Sequence, residues 1–279
     1  MTRFNRTAIA VAFALSLSPL ANAANAADTP AAAEPAAAKP ASELPAARTL
    51  IDAHVAAIGG REAALASSEG AIKSTMEIVE VGMKGDLNLY SRGDDRLFSM
   101  ILPAMGETKM GRTGGVVWSM DAMNGPRVLE GKERQQMVEQ FDPLYAMRDA
   151  SLVETAKTTG LSDSSGRACY RVEIKWKSGS DTADCYATED GLLLSTESNT
   201  STPMGDLKQA AHFSEYTAYG KIKAPKVTTV KVAGMTQIVR IDAYDESAQD
   251  AKLFALPAAI EALVKKAAAP AATQAEQTQ

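Results

Sequence analysis

The first regular pattern in the chain is an apolar stripe at helical spacing near residue 50. Its members fall on one side of a helix and are Leu50, Ile51, His54, Val55 and Ile58. Gly59 and Gly60 follow directly, and glycine commonly stands just after the end of a helix. The pattern therefore predicts a helix that ends near residue 58, with a further turn or two over residues 61–67.

Alternation of apolar and polar residues, which indicates half-buried strands, follows this helix. In the first strand Ile72, Met76 and Ile78 share a face, and we expect a β-bulge where the alternation slips at Val79 and Val81. Leu87 and Leu89 mark the next strand, and residues 97–102 are apolar on both faces. Glycines at 106, 111 and 114–115 predict turns, followed by a short strand through residue 118 and a hairpin at Asn-Gly 124–125.

A helical pattern returns over residues 132–150. Met137 and Phe141 lie four residues apart, on one face of the predicted helix. Asp142 and Pro143 have the order of an N-cap and a first helical residue, so a second helix is expected to begin there, with Tyr145 on its apolar side.

Strands fill most of the remaining chain. A hairpin containing both cysteines is followed by predicted strands over 192–202, 207–219, 225–233 and 235–244. In the last strand Met235, Val239, Ile241 and Ala243 share a face, with the polar Gln237 between them. A short helix is predicted over 258–266. The whole pattern indicates a mainly β, α+β protein of about ten antiparallel strands, with one helix before them and helices inserted midway.

Composition divides the 279 residues into four parts. Residues 1–26 have the basic, apolar and A-x-A segments of a cleaved secretory signal peptide, which places the mature chain outside the cytoplasm. Residues 27–45 are rich in Ala and Pro and are expected to form a disordered linker, residues 46–266 one folded domain, and residues 267–279 a disordered tail. The net charge of −5 is spread along the chain, and no basic block indicates nucleic-acid binding.

The two cysteines, Cys169 and Cys185, are expected to form a disulfide in an oxidising compartment. The alternation around Cys169 places it on the polar face of its strand. A turn centred near Lys177 would set the cysteines opposite each other, whereas a turn at Ser178-Gly179 would offset them by about three positions unless a bulge intervened. Two unreactive thiols are the alternative.

The residues offer little catalytic or metal-binding chemistry. His212, Ser214 and Tyr216 share a strand face in the predicted alternation, but no oxyanion hole or orienting acid accompanies His212 and Ser214, so we predict that the protein is not an enzyme. Seven methionines lie between Met76 and Met123, and thioethers can bind Cu(I). No histidine cluster accompanies them, and we predict neither a metal nor a cofactor.

The order of elements resembles the LolA/LolB/RseB superfamily, the bacterial periplasmic lipoprotein carriers and sensors. The segment "LIDAHVAAIGG" is similar to the first helix of its LolA-like outer-membrane lipoprotein-sorting proteins, and "PAMGETKMGRTGGVVWSMD" to their glycine-rich turn and following strand. The hairpin "ACYRVEIKW…CYATEDGLLL" and the closing "LFALP", with Phe254 and Pro257, resemble theirs as well. The resemblance covers most of residues 48–258. It implies an incomplete, strongly curved antiparallel β-barrel whose open side is covered by lid helices.

Under this fold the methionine-rich strands would line an apolar cavity, because flexible methionine side chains adapt to variable apolar shapes. The predicted cavity and lid residues are Met76, Phe98, Met100, Leu102, Met105, Trp118, Met120, Met137, Phe141 and Tyr145. The implied function is a periplasmic, non-catalytic protein that carries or senses a lipid or a lipid-modified protein. The alternative is an envelope protein-binding, assembly or stress-sensor module, whose partner would be an envelope protein.

Overall fold

The computed structural model describes residues 44–65, 69–103, 105–202 and 205–276. The predicted signal peptide lies outside the described residues, as does the predicted linker apart from its last two positions. Among the helices that the structure describes, none is long and apolar enough to cross a membrane.

Four α-helices occur in the described ranges. They are α1 (Ala47–Ala57), α2 (Arg61–Leu65), α3 (Gly131–Phe141) and α4 (Ala258–Glu276). The predicted first helix is confirmed, and Gly59, with φ of 112°, follows it in a conformation that other residues rarely adopt. Helix α4 continues beyond residue 266, through much of the segment expected to form a tail.

Thirteen strands in the described residues form one antiparallel sheet. They are β1 (Glu69–Ile78), β2 (Met83–Arg92), β3 (Asp95–Leu102), β4 (Gly106–Thr113), β5 (Val116–Asp121), β6 (Gly125–Val128), β7 (Val153–Ser164), β8 (Arg167–Trp176), β9 (Asp181–Ala187), β10 (Leu193–Thr202), β11 (Gly205–Tyr219), β12 (Ile222–Val232) and β13 (Met235–Asp245).

The strand order makes β6 and β7 the two edges of the sheet. It runs β6-β5-β4-β3-β2-β1-β13-β12-β11-β10-β9-β8-β7, so every sequential neighbour pairs except β6 and β7, and the two halves of the chain join where β1 pairs with β13. The sheet does not close on itself, which confirms the predicted incomplete curved barrel. The chain passes from one edge strand to the other through α3, because α3 is the segment between β6 and β7.

Opposite faces of the sheet bury different side chains. We call the face that carries Met76, Phe98 and Val172 the inner face, and the other the outer face. Two apolar clusters cover the inner face: one spans β1–β3 and β13 and includes Phe141 of α3, and the other spans β8–β12 and includes Ile51 of α1. On the outer face a smaller cluster packs around Trp118 and includes Ile260 of α4.

Residues 97–102 include apolar side chains on both faces of β3, as predicted, and the outer face is covered at Leu97 but not at Ile101, which is 44% exposed. Leu97 packs in the outer-face cluster with Phe254 and Ile260. Phe98, Met100 and Leu102 pack in the inner-face cluster with Phe141.

One predicted turn and one predicted bulge are wrong. Gly111 lies inside β4 rather than in a turn, because the ring of Trp118 on β5 packs directly over it; a Cβ added to Gly111 would stand 2.6 Å from that ring. Val79 and Val81 do not form a bulge. They form a 3₁₀ turn that joins β1 to β2.

The second inserted helix is absent from residues 142–149. The Asp142 carboxylate accepts a hydrogen bond from the backbone N–H of Leu144 at 2.8 Å, as an N-cap would. The chain then forms successive turns closed by hydrogen bonds between residues three apart. The backbone N–H groups of Tyr145, Met147 and Arg148 donate to the carbonyl oxygens of Asp142, Leu144 and Tyr145, respectively. Arg148 has a φ of +46°, a left-handed conformation that ends any helical path.

Irregularities in β13 and β11 change which of their side chains lie on the inner face. The pairing of β13 with β1 shifts register beside Lys73, so Ala243 is exposed and Tyr244 joins the inner-face cluster instead. In β11 Glu215 has a φ of +53°, and Tyr216 beyond it bonds to the backbone of β10 rather than sharing a face with His212.

The disulfide between Cys169 and Cys185 is present, with a Cα–Cα separation of 5.4 Å. Cys169 pairs in register with Ala187 and Cys185 with Arg171, so the cysteines are offset diagonally by two positions rather than three. Cys169 lies on the outer face but is fully buried, because Ala187 and Leu194 pack over the disulfide.

Candidate functional site

Helix α3 crosses the open side of the sheet above the inner face. It begins beside β6, where Arg127 forms two hydrogen bonds with Glu133 of the helix, at 2.8 and 3.2 Å. At the other side Gln136 of α3 donates a hydrogen bond to the backbone carbonyl of Asn199 on β10. The helix therefore connects strands that lie far apart in the sheet order.

The contacts that hold α3 to β10, β11 and the β8–β9 turn are mostly polar and partly exposed. Lys132 pairs with Asp206 at 2.8 Å, with about half of each side chain exposed. Glu139 accepts a hydrogen bond from Ser180 at 2.9 Å. Exposed ion pairs contribute about 0–1 kcal/mol each. These contacts therefore determine the position of α3 on the sheet but add little to the stability of its packing there.

The apolar side of α3 packs on the methionine-rich half of the inner face. Of the ten residues predicted to line a cavity or lid, seven meet here: Met76, Phe98, Met100, Leu102, Met105, Met137 and Phe141. Phe98, Met76 and Leu102 are completely buried, whereas Met105 and Met137 are only partly buried at the margin. Further partly buried methionines, Met83, Met110 and Met235, extend the same surface.

The other three predicted residues lie elsewhere. Trp118 and Met120 are on the outer face, because Trp118 pairs with Gly111 while the inner position of β5 at this level belongs to Ser119. The prediction misplaced them by one position of the strand alternation, which exchanges the faces. Tyr145 stacks on Trp176 at 4.4 Å, in the second inner-face cluster.

The Glu139 carboxyl is a titratable group that is buried between α3 and the sheet. Burial raises its pKa above the ordinary value, against the opposing effect of hydrogen bonds from Ser178 and Ser180. A raised folded-state pKa means that this contact is most favourable with the carboxyl protonated and weakens as the pH rises through that pKa.

A buried ion pair that the sequence did not indicate fixes the turns after α3. Arg148 and Asp184 have side chains 2% and 0% exposed, and Arg148 Nε donates to Asp184 at 2.7 Å. Asp184 also accepts hydrogen bonds from Tyr186 at 2.8 Å and Thr196 at 2.6 Å. Burial is the largest single effect on the pKa of Arg148 and lowers it, but the charge and hydrogen bond of Asp184, together with Tyr186 and Tyr145, outweigh burial and raise that pKa, so the guanidinium remains charged.

His54 of α1 lies beside this pair in a neutral form. Its Nδ1 accepts a hydrogen bond from the backbone N–H of Leu193 at 3.2 Å. Burial and the nearby charge of Arg148 lower its pKa to about 3. The place of His54 in the predicted apolar stripe of the first helix agrees with this position, since the neutral ring connects α1 to β10 within the core.

The residues that offered catalytic chemistry are not arranged as a catalytic group. His212 Nδ1 lies 3.3 Å from the Oγ of Ser164 on β7, while Ser214 is exposed. In the described ranges no group of three or more His, Cys, Asp and Glu side chains converges as metal ligands would.

Two recesses lie outside the apolar surface under α3. A small pocket beside the buried ion pair is lined by side chains that include His54, Phe213 and Tyr216. A wider recess on the outer face is lined mostly by polar and charged groups, among them Lys157 and Glu173. Neither recess shares a lining residue with the apolar surface under α3.

Neither the protein-family models nor the curated proteins match this chain. Among solved structures it is similar to a DUF1329 family protein from Desulfovibrio piger, at 14% identity and a TM-score of 0.52, over 75% of this chain and 97% of that one. It is also similar to a LolA superfamily protein from Nitrosomonas europaea, at 9% identity and a TM-score of 0.48, over 76% and 99% of the two chains. A further similar structure is an outer-membrane lipoprotein-sorting protein domain from Vibrio parahaemolyticus, at 10% identity and a TM-score of 0.47, over 74% and 94%. Likeness at these identities concerns the fold alone, and the LolA-like fold predicted from the sequence is confirmed.

Proposed function

We propose that this protein is a periplasmic, non-catalytic binding protein that carries or senses a lipid or a lipid-modified protein between α3 and the inner face. The observation that carries the proposal is the methionine-rich apolar surface, which extends across β1–β4 and β13 and is covered by the side chains of Met137 and Phe141. The signal-peptide pattern at residues 1–26 supports the location.

An acyl chain suits this surface on energetic grounds. Burying one methylene group is worth about 0.8 kcal/mol, so a chain with about 14 buried methylenes would gain about 11 kcal/mol before ordering costs. Methionine side chains can rotate to fill or vacate the space that such a chain takes, since they are unbranched and flexible. The ligand would thus replace contacts that Met137 and Phe141 make with the inner face.

Ligand entry requires α3 to move. Its contacts with the far side of the sheet include the exposed ion pair Lys132–Asp206 and hydrogen bonds from Gln136 and to Glu139. Gly131, with φ of 54° at the start of the helix, and the turns that begin at Asp142 give the two ends at which the helix can pivot.

A covalent staple across the Lys132–Asp206 pair tests this directly. The double variant K132C/D206C, joined by a short bis-maleimide, should lose most of its uptake of a fluorescent acyl probe. E77C/K84C, joined in the same way across the ion pair between β1 and β2, is the matched control and should take up the probe as the wild type does. Unchanged uptake by the stapled K132C/D206C protein would show that ligands do not enter beneath α3.

One observation favours the alternative, an envelope protein-binding module. Four exposed apolar side chains lie near hairpin ends at the same end of the antiparallel sheet: Val79, Val81, Ile101 and Met123. A partner would bind there without entering the inner face. If V81D and M123D abolish cross-linking to an envelope protein while the bound-lipid content is unchanged, this alternative is supported.

A further inference from the structure

A polar side chain lies at the junction of the two apolar clusters of the inner face. Gln237 of β13 pairs in register with Ile78 of β1 on one side and Val230 of β12 on the other. Ile78 belongs to the first inner-face cluster and Val230 to the second, and residues paired across neighbouring strands have side chains on the same face. The carboxamide of Gln237 therefore projects from the inner face.

This carboxamide is buried without hydrogen-bond partners. Gln237 is 0% exposed, and neither its Nε2 nor its Oε1 has a partner within the protein. Unpaired buried polar groups are destabilising, and an aliphatic side chain would fit among Ile78 and Val230 without that disadvantage. Packing alone would favour an aliphatic side chain at this position, yet the chain places a hydrogen-bond donor and a hydrogen-bond acceptor there.

A second buried amide on the same face points the same way. Gln209 of β11 is 2% exposed, and its Nε2 donates to Ser198 while its Oε1 has no partner. It pairs with Val232, which in turn pairs with Met235, so it lies two strands from β13 and two positions from the level of Gln237. At ordinary sheet spacings the two Cα atoms are about 12 Å apart, a distance that one acyl chain spans.

We infer that the ligand of the inner face is an acyl chain that carries a hydrogen-bond donor, N–H or O–H, beside its carbonyl group, and that Gln237 is the residue that selects it. The inference rests on the function proposed above. The N–H or O–H of the ligand donates to Oε1 of Gln237. The carbonyl oxygen of a 3-hydroxy chain can also accept from Nε2 of Gln237, whereas the carbonyl oxygen of a trans amide points away from its own N–H. A simple ester has only hydrogen-bond acceptors and therefore leaves the Oε1 atom of Gln237 unpaired.

Three probes of equal chain length separate the possibilities. N-ethylhexadecanamide and ethyl hexadecanoate differ by one N–H in place of an oxygen, and ethyl 3-hydroxyhexadecanoate adds an O–H to the ester. Each competes with a fluorescent acyl probe for the full mature chain. We expect the amide or the hydroxy ester to bind about tenfold more tightly than the ester, the ratio that one ordinary buried hydrogen bond gives. Preference for the amide indicates an amide-linked acyl group as the source, and preference for the hydroxy ester a hydroxylated chain.

The variant Q237M keeps the length of the side chain and removes both polar groups. It should fold with a thermal stability at least equal to that of the wild type, bind the ester as well or better, and reduce the tenfold ratio to about one. Q135M makes the same chemical change at an exposed position of α3 and should leave the ratio unchanged.

Equal binding of the three probes by the wild type, or a ratio that survives in Q237M, would overturn the selecting role of Gln237 while the proposed lipid-binding function stood. If none of the three binds and the fluorescent probe is also excluded, the proposed function fails, and this inference with it.

Discussion

Removal of either member of the Arg148–Asp184 pair should be among the most destabilising single substitutions in the protein. Both side chains are inaccessible, and removing one partner of such a pair typically costs about 3–5 kcal/mol because an uncompensated charge remains in the core. The two single substitutions leave different charges in the core. In R148M the remaining carboxylate keeps its hydrogen bonds from Tyr186 and Thr196 and can be neutralised by a proton. In D184N the remaining guanidinium cannot lose its proton.

The magnitudes follow from that asymmetry. At pH 7 we expect D184N to lose about 5 kcal/mol of unfolding free energy and R148M about 3–4 kcal/mol. Neutralising a carboxylate becomes easier by about 1.4 kcal/mol per pH unit, so the loss in R148M should shrink as the pH is lowered, whereas the loss in D184N should not.

The assay is urea unfolding followed by tryptophan fluorescence at pH 5, 6 and 7, with the disulfide intact. R61M is the matched control, because Arg61 pairs with Asp149 at 2.7 Å but its own side chain is 55% exposed; it should lose no more than about 1 kcal/mol. If R148M and R61M lose the same small amount, or if the loss in R148M does not change with pH, the account of this buried pair is wrong.

Three further predictions follow from burial and packing. His54 is protonated below about pH 6.5 in the unfolded chain but only near pH 3 in the folded protein. The free energy of unfolding of the wild type should therefore fall by up to about 1.4 kcal/mol per pH unit below pH 6.5, and H54L should lack that part of the fall. Identical acid profiles of the wild type and H54L would refute this prediction. G111A places a methyl group against a buried tryptophan ring and should cost about 1–3 kcal/mol, whereas G160A meets nothing within 4 Å and should be neutral or slightly stabilising in the same thermal melts; equal effects would contradict the packing. Replacing Cys169 and Cys185 by alanine should cost about 3 kcal/mol in urea, as expected for a disulfide that closes a short loop, and a loss below 1 kcal/mol would count against that role.

The strands of the second half were predicted well because each carries its own alternation and turn. The predicted strands 192–202, 207–219 and 235–244 differ from β10, β11 and β13 by one or two residues at their ends. The resemblance to LolA-like proteins supplied what local patterns lacked, the curvature of the sheet and the helix that covers it.

Failures arose where face assignment depends on a neighbouring strand. The glycine at 111 has the local appearance of a turn residue, and only the ring of Trp118 across the sheet explains it as a strand residue. Once that strand was missed, Trp118 was assigned to the cavity although it lies beneath α4. The bulge at Glu215 has no glycine or proline to indicate it, so Tyr216 was also placed on the wrong face.

The buried polar groups were the hardest to predict. Asp184 stands in a strand among small and polar residues, and its partner Arg148 comes from turns 36 positions away, so neither residue differs locally from a surface charge. Gln237 was visible as a polar interruption of an apolar face, but its complete burial appears only when β1 and β12 are placed on either side of β13.

The central claim is that the inner face holds an apolar ligand, and the most direct measurement is lipid mass spectrometry of the mature protein purified gently from a bacterial envelope fraction. The extract is compared with that of a control protein handled in the same way. The account predicts a specific lipid or lipid-modified species near one per chain, enriched in acyl groups with a donor beside the carbonyl. An extract of the unstapled wild-type protein that matches the control would contradict the account.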